Sequence, residues 1–184
     1  MLNVRQEPVP GDWTCAAGLD DYMRENGFKV VEYDKPQSLV VFFGKNIIIP
    51  NPPRHRHILR IHDLHHVVTG YGTCHVGEGE LAMWEWRAGV LGLGPWAVFL
   101  TIITGFIGFV YAPGRMLRAW RDSKGARPLW ALPMAYEEML CATVAELRAQ
   151  ARTPPKGLAR EERRLHKNAP SAPTDFSATA ANAR

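Results

Sequence analysis

Six of the chain's seven histidines, His55, His57, His62, His65, His66 and His75, fall within 21 of its 184 residues. In the stretch Ile61-His62-Asp63-Leu64-His65-His66 the first and last histidines are four apart. On a helix their imidazoles leave one face about one turn from each other, a spacing that can bring two nitrogens to one metal ion. Asp63 lies about 100° round the helix from His62, within reach either to ligate directly or to orient an imidazole. Glu78 comes twelve residues after His66, beyond the break Gly70-Tyr71-Gly72. A turn there lets a second helix fold back and present Glu78 near its own N-terminus, facing the first helix. Two imidazoles with one or two carboxylates make a mixed N/O donor set that suits Zn(II), and also Fe(II) or Mn(II), with positions left for water or substrate. Such a set reads as catalytic, because structural zinc sites are usually closed by cysteines. The competing reading is a solvent-facing polar helix whose His and Asp only hydrogen-bond. His65 points to another face and His75 falls in the loop, so both are expected behind the ligands or in solvent. His55 and His57, among Arg54 and Arg56, suit a basic entrance.

Other chemistries fit less well. HExxH is absent, which removes support for a zincin peptidase. The His62-Asp63 doublet of an HD phosphohydrolase lacks a partner Asp late in the chain. Gly89–Gly94 lacks the preceding strand, the Lys and the Ser/Thr of a phosphate loop.

The elements that must hold these residues read as mainly α: a single helical domain with a metal-binding helix pair and room for a small β-hairpin near the N-terminus. Residues 1–12, broken by Pro8, Pro10 and Gly11, form a flexible lead-in, and the domain spans 13–151. A short helix from about Ala16 to Glu25 ends at Asn26-Gly27, where Gly supplies a left-handed cap. Phe28 to Ile49 is strand-like, with apolar runs FKVVEYD, LVVFF and III around Gly44-Lys45-Asn46; buried helix is the alternative for runs this short. The His-bearing helix runs from about Arg54 to Val68. A second starts near Glu78 and carries Leu81, Trp84, Glu85 and Ala88. A last amphipathic helix begins at Pro133, with Tyr136, Leu140, Val144 and Leu147 as its core stripe.

Ala88 to Gly114 holds 27 residues without a charge. Gly89, Gly92, Gly94 and Pro95 break its first part, leaving Trp96 to Ala112 as a 17-residue apolar helix, at the short limit for a bilayer that needs about 20. Three readings compete: a buried helix or lipid-pocket wall, shallow membrane insertion, and a true span. The basic flank that follows, Arg115, Arg118, Arg121, Lys124 and Arg127 against Asp122 alone, would sit on the cytoplasmic side of a span.

The formal charge of +4 comes from 22 basic and 18 acidic residues. Beyond residue 151 stand 7 basic and 3 acidic residues, so the body is neutral and the excess belongs to the tail. That tail, 152–184, is rich in Pro, Ala, Ser and Thr and reads as disordered and basic, with one short helix near Leu158–Lys167. The balance argues for an anionic membrane surface and against nucleic acid. Three widely spaced cysteines, Cys15, Cys74 and Cys141, imply reduced thiols rather than a disulfide framework. MLNVRQEPVPGDW has no apolar core of a secretory signal, so a cytoplasmic location is expected.

As a pattern, His62-Asp63-x-x-His66, eleven residues, then Glu78 resembles the HDxxH-x11-E signature of the coenzyme Q (ubiquinone) biosynthesis family named for the fourth gene of that pathway. The surrounding HDLHHVVTGYGTCHVGE is similar in its Gly-Tyr turn and Gly-Glu pair, and the resemblance covers about 55–90. The stretch before the HD pair, Arg56-His57-Ile58-Leu59-Arg60, departs from the family's Arg-Tyr-Arg-Glu-like text, which marks a divergent member. The resemblance implies a mostly helical protein, dimeric and placed in a biosynthetic complex, peripheral to the inner face of the membrane, with His62, Asp63, His66 and Glu78 as metal and catalytic set. It implies a divalent metal, zinc first, and a polyprenylated hydroxybenzoate-type precursor whose C1 carboxylate is replaced by hydrogen or hydroxyl. The metal would stabilise charge as CO2 leaves; a hydroxylating outcome would also need O2 and a redox-capable centre. Under the same reading Trp96, Phe99, Ile103 and Phe106 line the isoprenoid tail, while Arg115 and Arg118 meet headgroups. The reading from another class is a non-catalytic scaffold that binds quinone precursors for partner enzymes. On either reading, binding to anionic vesicles is expected to weaken as salt is raised, because the basic groups at 115–127 and in the tail are screened; co-sedimentation across a salt series checks this.

Overall fold

The computed structural model describes residues 8–42 and 45–159. Residues 1–7, 43–44 and 160–184 lie outside the described residues, and with them most of the expected lead-in, most of the basic tail and all but the start of the helix expected near Leu158–Lys167. The described chain is mainly helical. Helix α1 covers Cys15–Asn26, and a 3-10 turn covers Val30–Asp34. Strands β1, Gln37–Phe42, and β2, Lys45–Pro50, pair antiparallel from Gln37↔Pro50 to Phe42↔Lys45. Then follow α2 (Pro53–Thr69), α3 (His75–Gly89), α4 (Pro95–Tyr111) and α5 (Pro113–Asp122). A 3-10 turn at Leu129–Ala131 leads to α6 (Tyr136–Cys141) and α7 (Val144–Gln150).

Local chemistry sets the ends of the two helices that carry the histidines and Glu78. Pro53, whose ring presets a helical φ and whose missing N–H would be unpaired there anyway, opens α2. Gly70 at φ 79° closes it by donating its N–H to His66 O, a left-handed conformation that costs other residues more. Cys74 caps α3, its sulfur accepting from Gly77 N–H at 3.4 Å, so the helix starts three residues before Glu78. Glu78 thereby sits in the first turn, as the sequence suggests.

α2 is the middle of the core. Leu64, Val67 and Val68 meet Leu19, Tyr22 and Met23 of α1, Leu81 and Trp84 of α3, Met139 of α6, and Val144 and Leu147 of α7, all buried. Arg148 is buried too, and its guanidinium donates to the carbonyls of Val68 (3.0 Å) and Val67 at the end of α2, and to those of Val9 (3.0 Å) and Pro155 (2.9 Å). A cation at a helix C-terminus meets unpaired carbonyls and the negative end of the helix dipole. This clasp carries the packed body past both expected borders: Val9 is buried, and Leu158 and Ala159 donate their amides to Thr69 O.

Three further expectations are corrected. The run FKVVEYD is not a strand; its second half is the 3-10 turn that faces Tyr33 inward while Val30 stays 55% exposed. The expected small hairpin does form, from the LVVFF and III runs as strands 37–42 and 45–50. The last amphipathic helix is two helices, because Ala142 O accepts from Cys15 N–H and Val144 N–H donates to Trp13 O, a strand-like exchange that breaks the turn. Thr143 then restarts the helix through a capping box with Glu146. Finally, α4 is not a core helix: its buried residues are Ala97, Gly105 and Gly108, its face with Ile103 and Ile107 is half-buried, and Phe99, Ile102, Phe106 and Val110 are exposed. Among the described residues no helix is long and apolar enough to cross a membrane.

α4 lies against α3 through glycine. A Cβ on Gly79 would come within 2.7 Å of Gly108 Cα and 3.0 Å of the Met116 sulfur, so the two backbones can approach only without side chains. Gly79→Val is therefore expected to destabilise by about 1–3 kcal/mol, more than the few tenths that Val gains over Gly as a helix former. Urea unfolding of the variant checks it; unchanged stability would mean that the crossing is looser than described.

Candidate metal centre

The turn between α2 and α3 folds the second helix back on the first, and the four residues of the motif come together. His62, Asp63 and His66 each bring a ligand-capable atom within 4.8 Å of the others. Glu78 stands opposite the two imidazoles, its Oε2 3.4 Å from His62 Nε2 and its Oε1 3.3 Å from His66 Nε2.

The partners on the far side of each ring decide which nitrogen is free. His66 Nδ1 lies 2.9 Å from Tyr71 O, and a carbonyl can only accept, so Nδ1 carries the proton. His62 Nδ1 lies 2.8 Å from Glu85 Oε1, again an acceptor. Both rings therefore turn Nε2 towards the Glu78 carboxylate. His66 Nε2 is buried and makes no hydrogen bond. A neutral ring so held turns a bare Nε2 towards Glu78, and a carboxylate in that place must be answered either by an imidazolium proton or by a cation. A divalent ion satisfies all three residues at once, and the N/O donor set suits Zn(II), Fe(II) or Mn(II). The residues present fit a metal.

Asp63 keeps the first of its two expected parts, with a carboxylate oxygen among the ligand-capable atoms that lie within 4.8 Å of one another, and not the second. It orients no imidazole; Tyr22 donates to its Oδ1 at 3.2 Å and Tyr33 to its Oδ2. Tyr22 also stacks on His66, ring centroids 5.2 Å apart at 20°. His65, expected behind the ligands or in solvent, is fully buried between Trp84 and Trp130. Its Nδ1 lies 2.8 Å from the same Glu85 oxygen that His62 uses, and its Nε2 accepts from Leu129 N–H at 2.9 Å. His75 is the first residue of α3, exposed, and stacked on Tyr111. His57 is exposed and His55 half-buried at the start of α2, with a buried Nδ1 that has no partner.

Burial and charge act against each other throughout this cluster. Burial alone would raise both glutamates, but His66 and His62 hold Glu78 well below the usual carboxylate range, and His62 and His65 hold Glu85 at about 2. Burial would depress the His62 imidazolium; Glu85 and Glu78 override it and lift it well above the ordinary histidine value. Burial wins at His65, which is pushed down despite Glu85, and at Asp63, which is pushed up despite His62 and His66. Burial and the charge of His62 both lower His55.

The residues expected to meet lipid divide. Phe99 and Phe106 are 50% and 69% exposed, in line with Ile102 and Val110 on the outer face of α4. Ile103 is half-buried; Trp96 stacks on Phe99 and donates its indole N–H to Pro50 O at 3.1 Å. Arg115, expected at headgroups, turns inward instead, its Nε 2.9 Å from Glu80 Oε1. Arg118 is half-buried on α5.

Sequence reasoning missed Glu85, Tyr22 and Tyr33 as members of the site. Glu85 had a signal, for it follows Glu78 by seven residues and so shares its helix face two turns on. The tyrosines had none, since they reach Asp63 across 41 and 30 residues. Compared with protein-family models, curated proteins and solved structures, the chain has no match.

In the metal-free protein Glu78 and Glu85, held low, contribute stability that is full above pH 4.5 and lost as pH falls; His62, held high, contributes stability that is full below pH 6.5 and lost as pH rises. His65, held low, contributes stability that is full above pH 6.5 and lost as pH falls, so chelator-treated protein is expected to melt highest near pH 6.5. Thermal unfolding across pH tests this, and a midpoint that keeps climbing above pH 6.5 would contradict the pairing.

Proposed function

We propose that this chain is a divalent-metal enzyme working at a membrane surface on the carboxylate of a prenylated ring, the kind of ubiquinone precursor that the HDxxH-x11-E resemblance implies. One observation carries the reading: the Nε2 atoms of His62 and His66 converge on the two oxygens of the Glu78 carboxylate, 3.4 and 3.3 Å away, while each Nδ1 is taken by an acceptor behind the ring. A metal bound there supplies Lewis acidity that stabilises negative charge developing on the ring as the bond to the leaving CO2 breaks. The rest falls to the chain. Tyr22 holds the plane of His66 by stacking, Tyr71 O sets its tautomer, and Tyr22 with Tyr33 keeps Asp63 in a single orientation.

The apolar face of α4 supports a lipid partner. Phe99, Ile102, Phe106 and Val110 form a contiguous exposed row on a helix that packs directly on α3, which carries Glu78 and Glu85. Large exposed apolar patches mark interaction surfaces, and that row is what supports a peripheral location at a lipid surface. The same row suits the scaffold reading, in which precursor is held without being converted.

Purified protein is expected to carry about one Zn(II), Fe(II) or Mn(II) per chain by elemental analysis, and His66→Ala or Glu78→Ala to lose at least about 90% of it, ligand removal being more severe than the 10–100-fold effects of supporting residues. Mass spectrometry of a prenylated hydroxybenzoate incubated with the metal-loaded protein should show loss of CO2. Absence of stoichiometric metal from the wild type would defeat the proposal, while bound metal with retained but unconverted lipid would favour the scaffold.

A further inference from the structure

We infer that Glu85 is a positioning residue of this centre, a single carboxylate oxygen that fixes which nitrogen of His62 is presented to the metal. The inference rests on the metal reading above and adds to it a residue outside the motif. Glu85 Oε1 lies 2.8 Å from the Nδ1 atoms of both His62 and His65, which stand three apart on α2. The carboxylate is buried, at 2% exposure, so its charge is met by these two N–H groups rather than by water.

The two imidazoles do different work. His65 cannot flip its ring, because its Nε2 is already taken by Leu129 N–H at 2.9 Å and the ring is wedged edge-on between Trp84 and Trp130, centroids 4.8 and 4.5 Å away. It therefore donates from Nδ1 and holds the carboxylate still. Glu85 Oε1, so anchored, accepts a second bond from His62, which must then also carry a proton on Nδ1. In the neutral ring, the form that can bind a metal, that leaves His62 Nε2 bare and aimed at Glu78, 3.4 Å away. The chain of contacts runs from the backbone of the 129–131 turn through His65 and Glu85 to the ligand atom. A ring flip of His62, which would turn the wrong nitrogen inward, costs the buried Glu85 bond. A carboxylate hydrogen-bonded behind a ligating imidazole also raises its basicity, and loss of such a partner weakens metal binding about 10–100-fold.

The test is Zn(II) affinity by chelator competition, with the Co(II) absorption spectrum as a report on coordination, for wild type, Glu85→Gln, Glu85→Asp and His66→Ala. Glu85→Gln, nearly isosteric but uncharged, is expected to bind Zn(II) about 10–100-fold more weakly and to shift the Co(II) bands. Glu85→Asp, which keeps the charge but shortens the reach, should fall between it and wild type. A merely structural role would lower the melting temperature of the metal-free protein and leave Zn(II) affinity and the Co(II) spectrum of the folded fraction unchanged, which would overturn the inference. If Glu85→Gln does not fold, Glu85→Asp decides: weaker binding supports the role, and wild-type binding overturns it. A wild type that takes up neither ion, like His66→Ala, would defeat the metal reading itself.

Discussion

A carboxylate taken out of water must be answered by a proton donor or a cation, and in this protein α3 carries two into the interface with α2, Glu85 buried and Glu78 half-buried. Glu78 and Glu85 stand two turns apart on one face, and His62, His65 and His66 are what they meet. An unanswered charge in such a place costs several kcal/mol, far more than any single apolar contact along the same interface. The rotation of α3 about its own axis is therefore set by charge, and the other faces of the helix follow from it. Leu81 and Trp84 go to the core, while Gly79 meets α4.

The same logic holds α2 at both ends of its buried stretch. Asp63 is answered by two phenols, one from α1 and one from the 3-10 turn before the hairpin. The last carbonyls of α2 are answered by Arg148, which gathers in the segments before α1 and after α7. Peripheral elements are thus tied to the central helix by polar groups, around a conventional apolar core. Such networks are worth little or nothing over apolar packing in stability. They do hold the imidazole rings in one orientation, and orientation is what a ligand set requires.

Two faces of α3 connect the centre to the surface. One presents the carboxylates, and the other carries α4, whose outward row of Phe99, Ile102, Phe106 and Val110 has no covering element among the described residues. Arg115 closes the arrangement from α5 by pairing with Glu80 of α3, and Arg87 lies over the Trp120 ring. The basic flank is consequently part scaffold and part surface, a division that a count of charges does not reveal.

What was legible in the sequence is what a helix repeats within its own length. The four-residue step from His62 to His66, the Gly70 stop, the amphipathic and apolar stretches and the helix pair that brings Glu78 back all follow from a period of 3.6 and from local capping. The hairpin was also legible. Tertiary structure alone decided the rest. It made FKVVEYD a turn that places Tyr33 on Asp63, broke the last helix where 142–144 pairs with 13–15, and set Glu85 between two histidines. It also turned Phe99, Ile102, Phe106 and Val110 of α4 outward, on a helix whose Gly108 crosses Gly79 of α3 at close range. A helix carries its own periodicity, but the partner of a buried charge or of a backbone amide lies tens of residues away, and only the packed chain chooses it.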